Sequence, residues 1–306
     1  MPKGKVIGFN GMDKEEWTSW SYGVWGDLRP GDDFDRLFAE RVIPLYSREG
    51  NVVLDPFVGK GGTLRAALFL NRPAVGIELK PELVKCCHDS IKSLENEIFG
   101  CDQQSLEDEG NKKEDKTEAA DEAPREKKTL KKKYHVFTGS CMDYLPKIPK
   151  NSVDLIVTVP PQPVYISEPK RVFFKSVAQR EEEKRADNEA AEAQKQLQDK
   201  RDLSIYSLQG WSVLVEIVLK QLYEVAKPES YCCWVVGDYR EYQNERLNYV
   251  PLHSVLFTIA EKAGFKLHDI AVMDFSNFQE PKADGFPKEF CFNLNHGYLV
   301  VLKKVL

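Results

Sequence analysis

The chain has 306 residues, of which 42% are hydrophobic and 30% charged, with a formal net charge of −5. That length suits one large domain or two small ones, and without a global positive field any nucleic-acid contact must rest on local patches. No run approaches the ~18 apolar residues of a membrane span, and the first residues, "MPKGKVIGFNGMDKEEW", hold no apolar signal core, so an intracellular protein of cytoplasm or nucleus is expected. The seven cysteines form no CxxC pair, and Cys86–Cys87 and Cys232–Cys233 are adjacent within apolar segments. That spacing suits reduced, buried thiols and no metal site.

In chain order, the pattern alternates strand and helix. "NVVLD" (Asn51–Asp55) is a short β run ending in an acid, "GTLRAALFLN" (Gly62–Asn71) is helical, and "PAVGIEL" (Pro73–Leu79) is a strand. Proline at a first helical turn opens "PELVKCCHDSIKSL" (Pro81–Leu94). "YHVFTGS" (Tyr134–Ser140) and "VDLIVTV" (Val153–Val159) are strands. The amphipathic helix Trp211–Lys227 precedes the strand Tyr231–Asp238, and a helix over Pro251–Gly264 is closed by glycine. "FKLHDIAVM" and "HGYLVVLKK" are the last two strands. Alternation of this kind predicts one α/β domain over 1–306, a mostly parallel sheet with helices on both faces and ligands at the strands' carboxyl ends.

Two stretches interrupt it. Residues 97–133 are acidic first and basic last, with few apolar side chains, and read as a mobile charged insertion. Residues 170–205 are rich in Ala, Glu, Gln, Lys and Arg and read as an inserted long charged helix, whose 175–202 part could pair with a protein partner.

The most informative stretch is "LDPFVGKGGTLRAAL". A strand ends at Asp55, a loop carries Gly59, Gly61 and Gly62, and a helix follows. Glycines let the backbone turn tightly and let a ligand come close, while a helix N-terminus offers free N–H groups. The next strand ends at Glu78, 23 residues after Asp55, where an acid can accept both hydroxyls of a ribose. GxxxxGK[ST] is absent, so this is no P-loop, and it is not the GxGxxG of a dinucleotide site.

"DPFVGKGGT" resembles the DPFxGxGT motif of S-adenosylmethionine-dependent DNA amino-methyltransferases, which act on the exocyclic amine of adenine or cytosine. The likeness extends to "FDRLFAERVIPLYSREGNVVLDPF", "AVGIELKPELV", "GSCMDYLPKIPKNSVDLIVTVPPQP" and the closing "HGYLVVLKK", and covers most of residues 20–306 outside the two insertions. It implies a Rossmann-like methyltransferase fold, with a seven-stranded mostly parallel sheet whose last strand is antiparallel. It also implies an S-adenosyl-L-methionine site at Phe34, Asp55, Pro56, Phe57, Gly59, Gly61, Glu78 and Ser140, and a nucleic-acid partner, DNA before RNA.

Family members carry [DNS]PP[YF] at the fourth strand. The first side chain and a proline carbonyl accept hydrogen bonds from the target amine, and the ring stacks on the flipped base. Here the quartet is Val159-Pro160-Pro161-Gln162, with Tyr165 (or Phe173) as a possible replacement ring. Val159 accepts no hydrogen bond, which costs about 1–3 kcal/mol for a buried unpaired amine, and Gln162 lacks the ring whose stacking is worth about 1–3 kcal/mol. Ser140 stands where the family has an acid, and Gly297 where it has a glutamate. An active amino-methyltransferase is the first expectation. The alternative is a catalytically weak or inactive relative that binds nucleic acid or partners a working methyltransferase.

Elsewhere, "EKKTLKKKY" (Glu126–Tyr134) is a basic run, usually a solvated loop, that could contact phosphates. The tryptophans of Trp17–Leu28 are read as core, the scattered histidines as structural, and the aromatic loop Phe275–Asn295 as a target-recognition loop or a cap on the sheet.

Overall fold

The computed structural model describes residues 10, 14–31, 33–109, 133–163, 201–243, 246–278 and 294–305. Its centre is a sheet of order β1-β9-β10-β6-β5-β2-β3-β4. The strands are β1 (Val24–Trp25), β2 (Val53–Asp55), β3 (Ala74–Glu78), β4 (Tyr134–Thr138), β5 (Val153–Thr158), β6 (Ala226–Val236), β9 (Lys266–Asp274) and β10 (His296–Lys303). Strand β10 runs antiparallel to both of its neighbours, and all other pairs in this sheet are parallel. This is the Rossmann-like arrangement, with eight strands in place of the expected seven. The extra one, β1, pairs only Val24 with Val272 and Trp25 with Met273, too short to leave a period in the sequence. A separate hairpin, β7 (Tyr239–Gln243) and β8 (Arg246–Val250), was also not foreseen.

Side chains alternate along each strand and feed two cores. Leu54, Ile156, Cys232, Trp234, Val300 and Leu302 face α6 (Leu208–Val225) and α7 (Leu252–Ala263). Val53, Leu155, Val157, Cys233, Val235 and Leu299 face the other way, towards α2 (Phe34–Tyr46), α3 (Gly62–Phe69) and α4 (Pro81–Glu109). The adjacent thiols of Cys232 and Cys233 therefore lie in different cores, which is why their adjacency has no chemical meaning. Cys87 and Cys141 are buried too, whereas Cys86 is exposed.

Helix α4 runs to Glu109, well beyond Leu94 and into the stretch read as a mobile insertion. The extension is rich in Glu and Gln, which favour helix without needing an apolar face. The rest of that insertion, with the basic run up to Lys132, lies outside the described residues, as do 164–200 of the charged segment. Its described end is not part of a long helix: Leu203–Ile205 form a 3-10 turn capped by Asp202. Glycine closes α7 as expected, with Gly264 in the left-handed region at φ 108°.

Candidate functional site

The sheet order sets the carboxyl ends of β5, β2, β3 and β4 side by side. Past β5 stand Val159, Pro160 and Pro161; past β2, Pro56, Phe57 and Gly59; past β3, Glu78 to Lys80; past β4, Gly139 to Cys141. All of them line one cavity of ≈ 290 Å³, close to the ~300 Å³ lower bound of small-molecule sites. Asp35 and Leu83 complete its rim, and Arg201 to Ser204 form its far wall.

The glycines of the loop do different jobs. Gly59 sits at φ 53° with nothing within 4 Å of where a Cβ would stand, so a side chain there would enter open space. Gly61, at φ 90°, lies against α4, where a Cβ would come within 2.6 Å of the Cys87 Sγ. Gly62 lies against α2, with a Cβ 2.8 Å from the Arg36 nitrogen. One glycine keeps a cradle clear, and two let three helices converge on the loop.

Glu78 is fixed by backbone. Its Oε2 accepts from the Gly59 N–H and its Oε1 from the Lys80 N–H, both at 2.9 Å. Each oxygen retains a lone pair for a ligand hydroxyl. Asp55 behaves differently: it is buried, does not line the cavity, and points along the sheet. Its Oδ1 accepts from the Thr158 hydroxyl at 2.6 Å and the Phe57 N–H at 3.0 Å. Burial, opposed by those hydrogen bonds, raises its carboxyl pKa to about 7. It thus ties β2 to β5, holding the two halves of the site in register.

At the β5 end, Val159 and both prolines line the cavity. The Trp211 indole N–H donates to the Pro161 carbonyl at 2.8 Å, fixing the turn to α6. Gln162 does not line the cavity; its amide lies 3.8 Å from where a Gly237 Cβ would be. Tyr165 and Phe173 fall outside the described residues.

Phe34 does not line the cavity: its ring contacts Phe38 at 6.0 Å and Phe275 at 5.9 Å, beside the loop. Ser140 does line it, and its Oγ accepts from the Met142 N–H as a helix cap. Residues with no prior signal are Asp35, Lys80 and the Arg201–Ser204 wall, which reads in sequence as the tail of a solvated helix. Burial raises the Asp35 carboxyl, with Lys60 opposing. Trp17, Trp20, Tyr22 and Trp25 line a second cavity of ≈ 280 Å³ with Tyr46, over β9 and β10 and away from the loop. Of the four tryptophans and tyrosines in that segment only Trp25 is core; Trp17 and Tyr22 are exposed.

The Gly59 cradle and the pinned Glu78 carboxylate fit S-adenosylmethionine, whose ribose would meet Glu78 and whose chain would pass over the loop. Comparison with known proteins points the same way. Residues 33–89 match a family model described as DNA methylase. The chain is 37% identical over 100 residues to the Type II methyltransferase M.BglI of Bacillus subtilis, covering 30% of this chain and 29% of that protein. It is 31% identical over 100 residues to the Type II methyltransferase M.MjaI of Methanocaldococcus jannaschii, covering 29% of this chain and 33% of the other. The matches span a third or less of those relatives' lengths. Among solved structures, TrmN from Thermus thermophilus aligns with 13% identity and a TM-score of 0.44, over 88% of this chain and 49% of that one. Over 33–89, the segment that builds α2, the glycine loop, β3 and the start of α4, the chain is similar to the DNA methylase family model.

Proposed function

We propose that this protein is an S-adenosylmethionine-dependent methyltransferase acting on an exocyclic amine of adenine or cytosine in nucleic acid, DNA before RNA, inside the cell. The observation that carries the reading is that the cofactor-type loop and the acceptor-type prolines line the same cavity, so donor and target would meet at Pro160. When bound, the cofactor supplies an electrophilic methyl group. The chain's own residues do the rest. Glu78 would hold the ribose, Asp35 lines the same cavity, and Pro160 and Pro161 would shape the acceptor end. The Pro160 carbonyl accepts a hydrogen bond from the amine, and Val159 excludes water beside it. Proximity and alignment of this kind are worth several orders of magnitude in an in-line displacement.

The second reading, a weak or inactive relative that partners a working methyltransferase, is favoured by one observation: neither Val159 nor Gln162 brings a polar atom to the acceptor end of the cavity. Calorimetry with S-adenosylmethionine, paired with transfer of radiolabelled methyl groups to DNA and RNA pools, separates the two. Binding with incorporation supports the enzyme. Binding without incorporation into either pool supports the second reading, and absence of binding defeats the enzyme.

A further inference from the structure

The wall formed by Arg201 to Ser204 crosses the ends of β3 and β4. Two ion pairs pin it: Asp202 Oδ2 lies 3.3 Å from the Lys80 Nζ, just past β3, and the Arg201 Nη1 donates to Asp143 Oδ2 at 2.6 Å, just past β4. Leu203 is fully buried in the same core as Trp211, so the wall is anchored from below. On the cofactor reading, which this inference rests on, the ligand lies across the strand ends from Pro160 over Gly59 and Glu78 to Ser140. Its adenine would then sit between Lys80, Ser140 and this wall.

Adenine presents a donor amine beside an acceptor nitrogen, and a buried donor left unpaired costs affinity. At this end the acceptors are few. Both Glu78 oxygens already hold backbone N–H groups and face the ribose position. The Ser140 Oγ accepts from Met142 N and, as a neutral hydroxyl, is a weaker acceptor than a carboxylate. Asp202 is the other carboxylate here: its Oδ1 takes the Ser204 N–H at 2.9 Å and the Ser204 hydroxyl at 2.6 Å, while among the described residues Oδ2 meets Lys80 at 3.3 Å and retains acceptor capacity.

We propose that Asp202, although far from the glycine loop in sequence, is the carboxylate that accepts the exocyclic amine of the cofactor's adenine, in place of the acid missing at Ser140. Burial works against its charge, but the Ser204 hydrogen bonds and Lys80 outweigh it and hold the carboxyl below its usual range. It is therefore ionised, and an acceptor only, at neutral pH.

Calorimetry on the full chain with S-adenosylhomocysteine and with S-inosylhomocysteine, which carries oxygen in place of the amine, tests this. Wild type is expected to prefer the adenosyl ligand by about tenfold or more, the scale of one hydrogen bond to a charged group. Asp202→Asn keeps an oxygen for Ser204 and sets an N–H₂ group towards the base, so it is expected to bring the ratio to one or past it. Asp202→Glu, which keeps the charge but displaces it, is the second variant and should also shrink the ratio. Unchanged ratios in both variants overturn the assignment alone. A wild-type chain that binds neither ligand overturns the cofactor reading and this assignment with it.

Discussion

At the β2–β3 end of the cavity, polar atoms are aimed by backbone: two N–H groups hold the Glu78 carboxylate and a left-handed glycine keeps the space before it clear. At the β5 end the turn is held just as firmly, by the Trp211–Pro161 hydrogen bond, yet the side chain it presents to the cavity is an apolar Val159. Backbone fixes the shape at both ends, and a carboxylate faces the cavity at only one. On the proposed function, holding a ligand and activating it would thus rest on different parts of the cavity.

The largest expected effect tests the tie between the two ends. Asp55 is a buried acid whose folded pKa of about 7 lies above the 3.8 of a free aspartate. The folded state therefore holds the proton more tightly, so its contribution to stability is complete below about pH 4 and is lost as pH rises through about 7. That loss is about 4 kcal/mol at the upper limit, at 1.36 kcal/mol per unit. Asp55→Asn keeps an oxygen for Thr158 and Phe57 and should flatten the fall. Urea denaturation of both proteins across pH 4 to 8 checks it, and parallel curves would break the account of Asp55.

Next come the two glycines. Gly61→Ala forces a Cβ to within 2.6 Å of Cys87 Sγ in a left-handed backbone and should cost about 2–4 kcal/mol of stability. Gly59→Ala meets no neighbour and should cost only about 1 kcal/mol of stability, but it should weaken S-adenosylmethionine binding. Thermal melts beside calorimetry read both, and equal loss of binding and stability in the two variants would erase the distinction. At the acceptor end, Val159→Ser should raise methyl transfer to DNA about tenfold, the rate worth of a hydrogen bond of about 1.4 kcal/mol. Adding Gln162→Tyr should contribute less, since Gln162 lies beside Gly237 and off the cavity. The smallest effect on cofactor affinity is expected for Trp211→Phe. It removes the indole hydrogen bond and leaves a cavity at a fully buried site, which should cost about 2–4 kcal/mol of stability in thermal melts, and it should lower transfer with little change in cofactor affinity.

Much of this was legible in the sequence. Strand–helix alternation gave the parallel sheet, the glycine turn after Asp55 gave the loop, and the acid ending β3 gave Glu78, because each follows from local geometry within a few residues. Long-range roles were not. Nothing in "DPF" separates a cavity-lining acid from one turned sideways to Thr158, a partner about a hundred residues away that only the β2–β5 pairing brings near. Gly61 looks like Gly59 until α4 is packed against it. The Arg201–Ser204 wall was hidden for a different reason: four residues trailing a charged stretch carry no period, and their place follows from Leu203 entering the core and from ion pairs to Lys80 and Asp143.

The cavity is walled on one side by residues up to Pro161 and on the other by residues from Arg201. Both ends of the intervening stretch therefore border one cavity. Closing such an excursion costs only about 0.6 kcal/mol more for each doubling of its length. A change in the length of the connection between Pro161 and Arg201 is therefore expected to cost little in closure entropy.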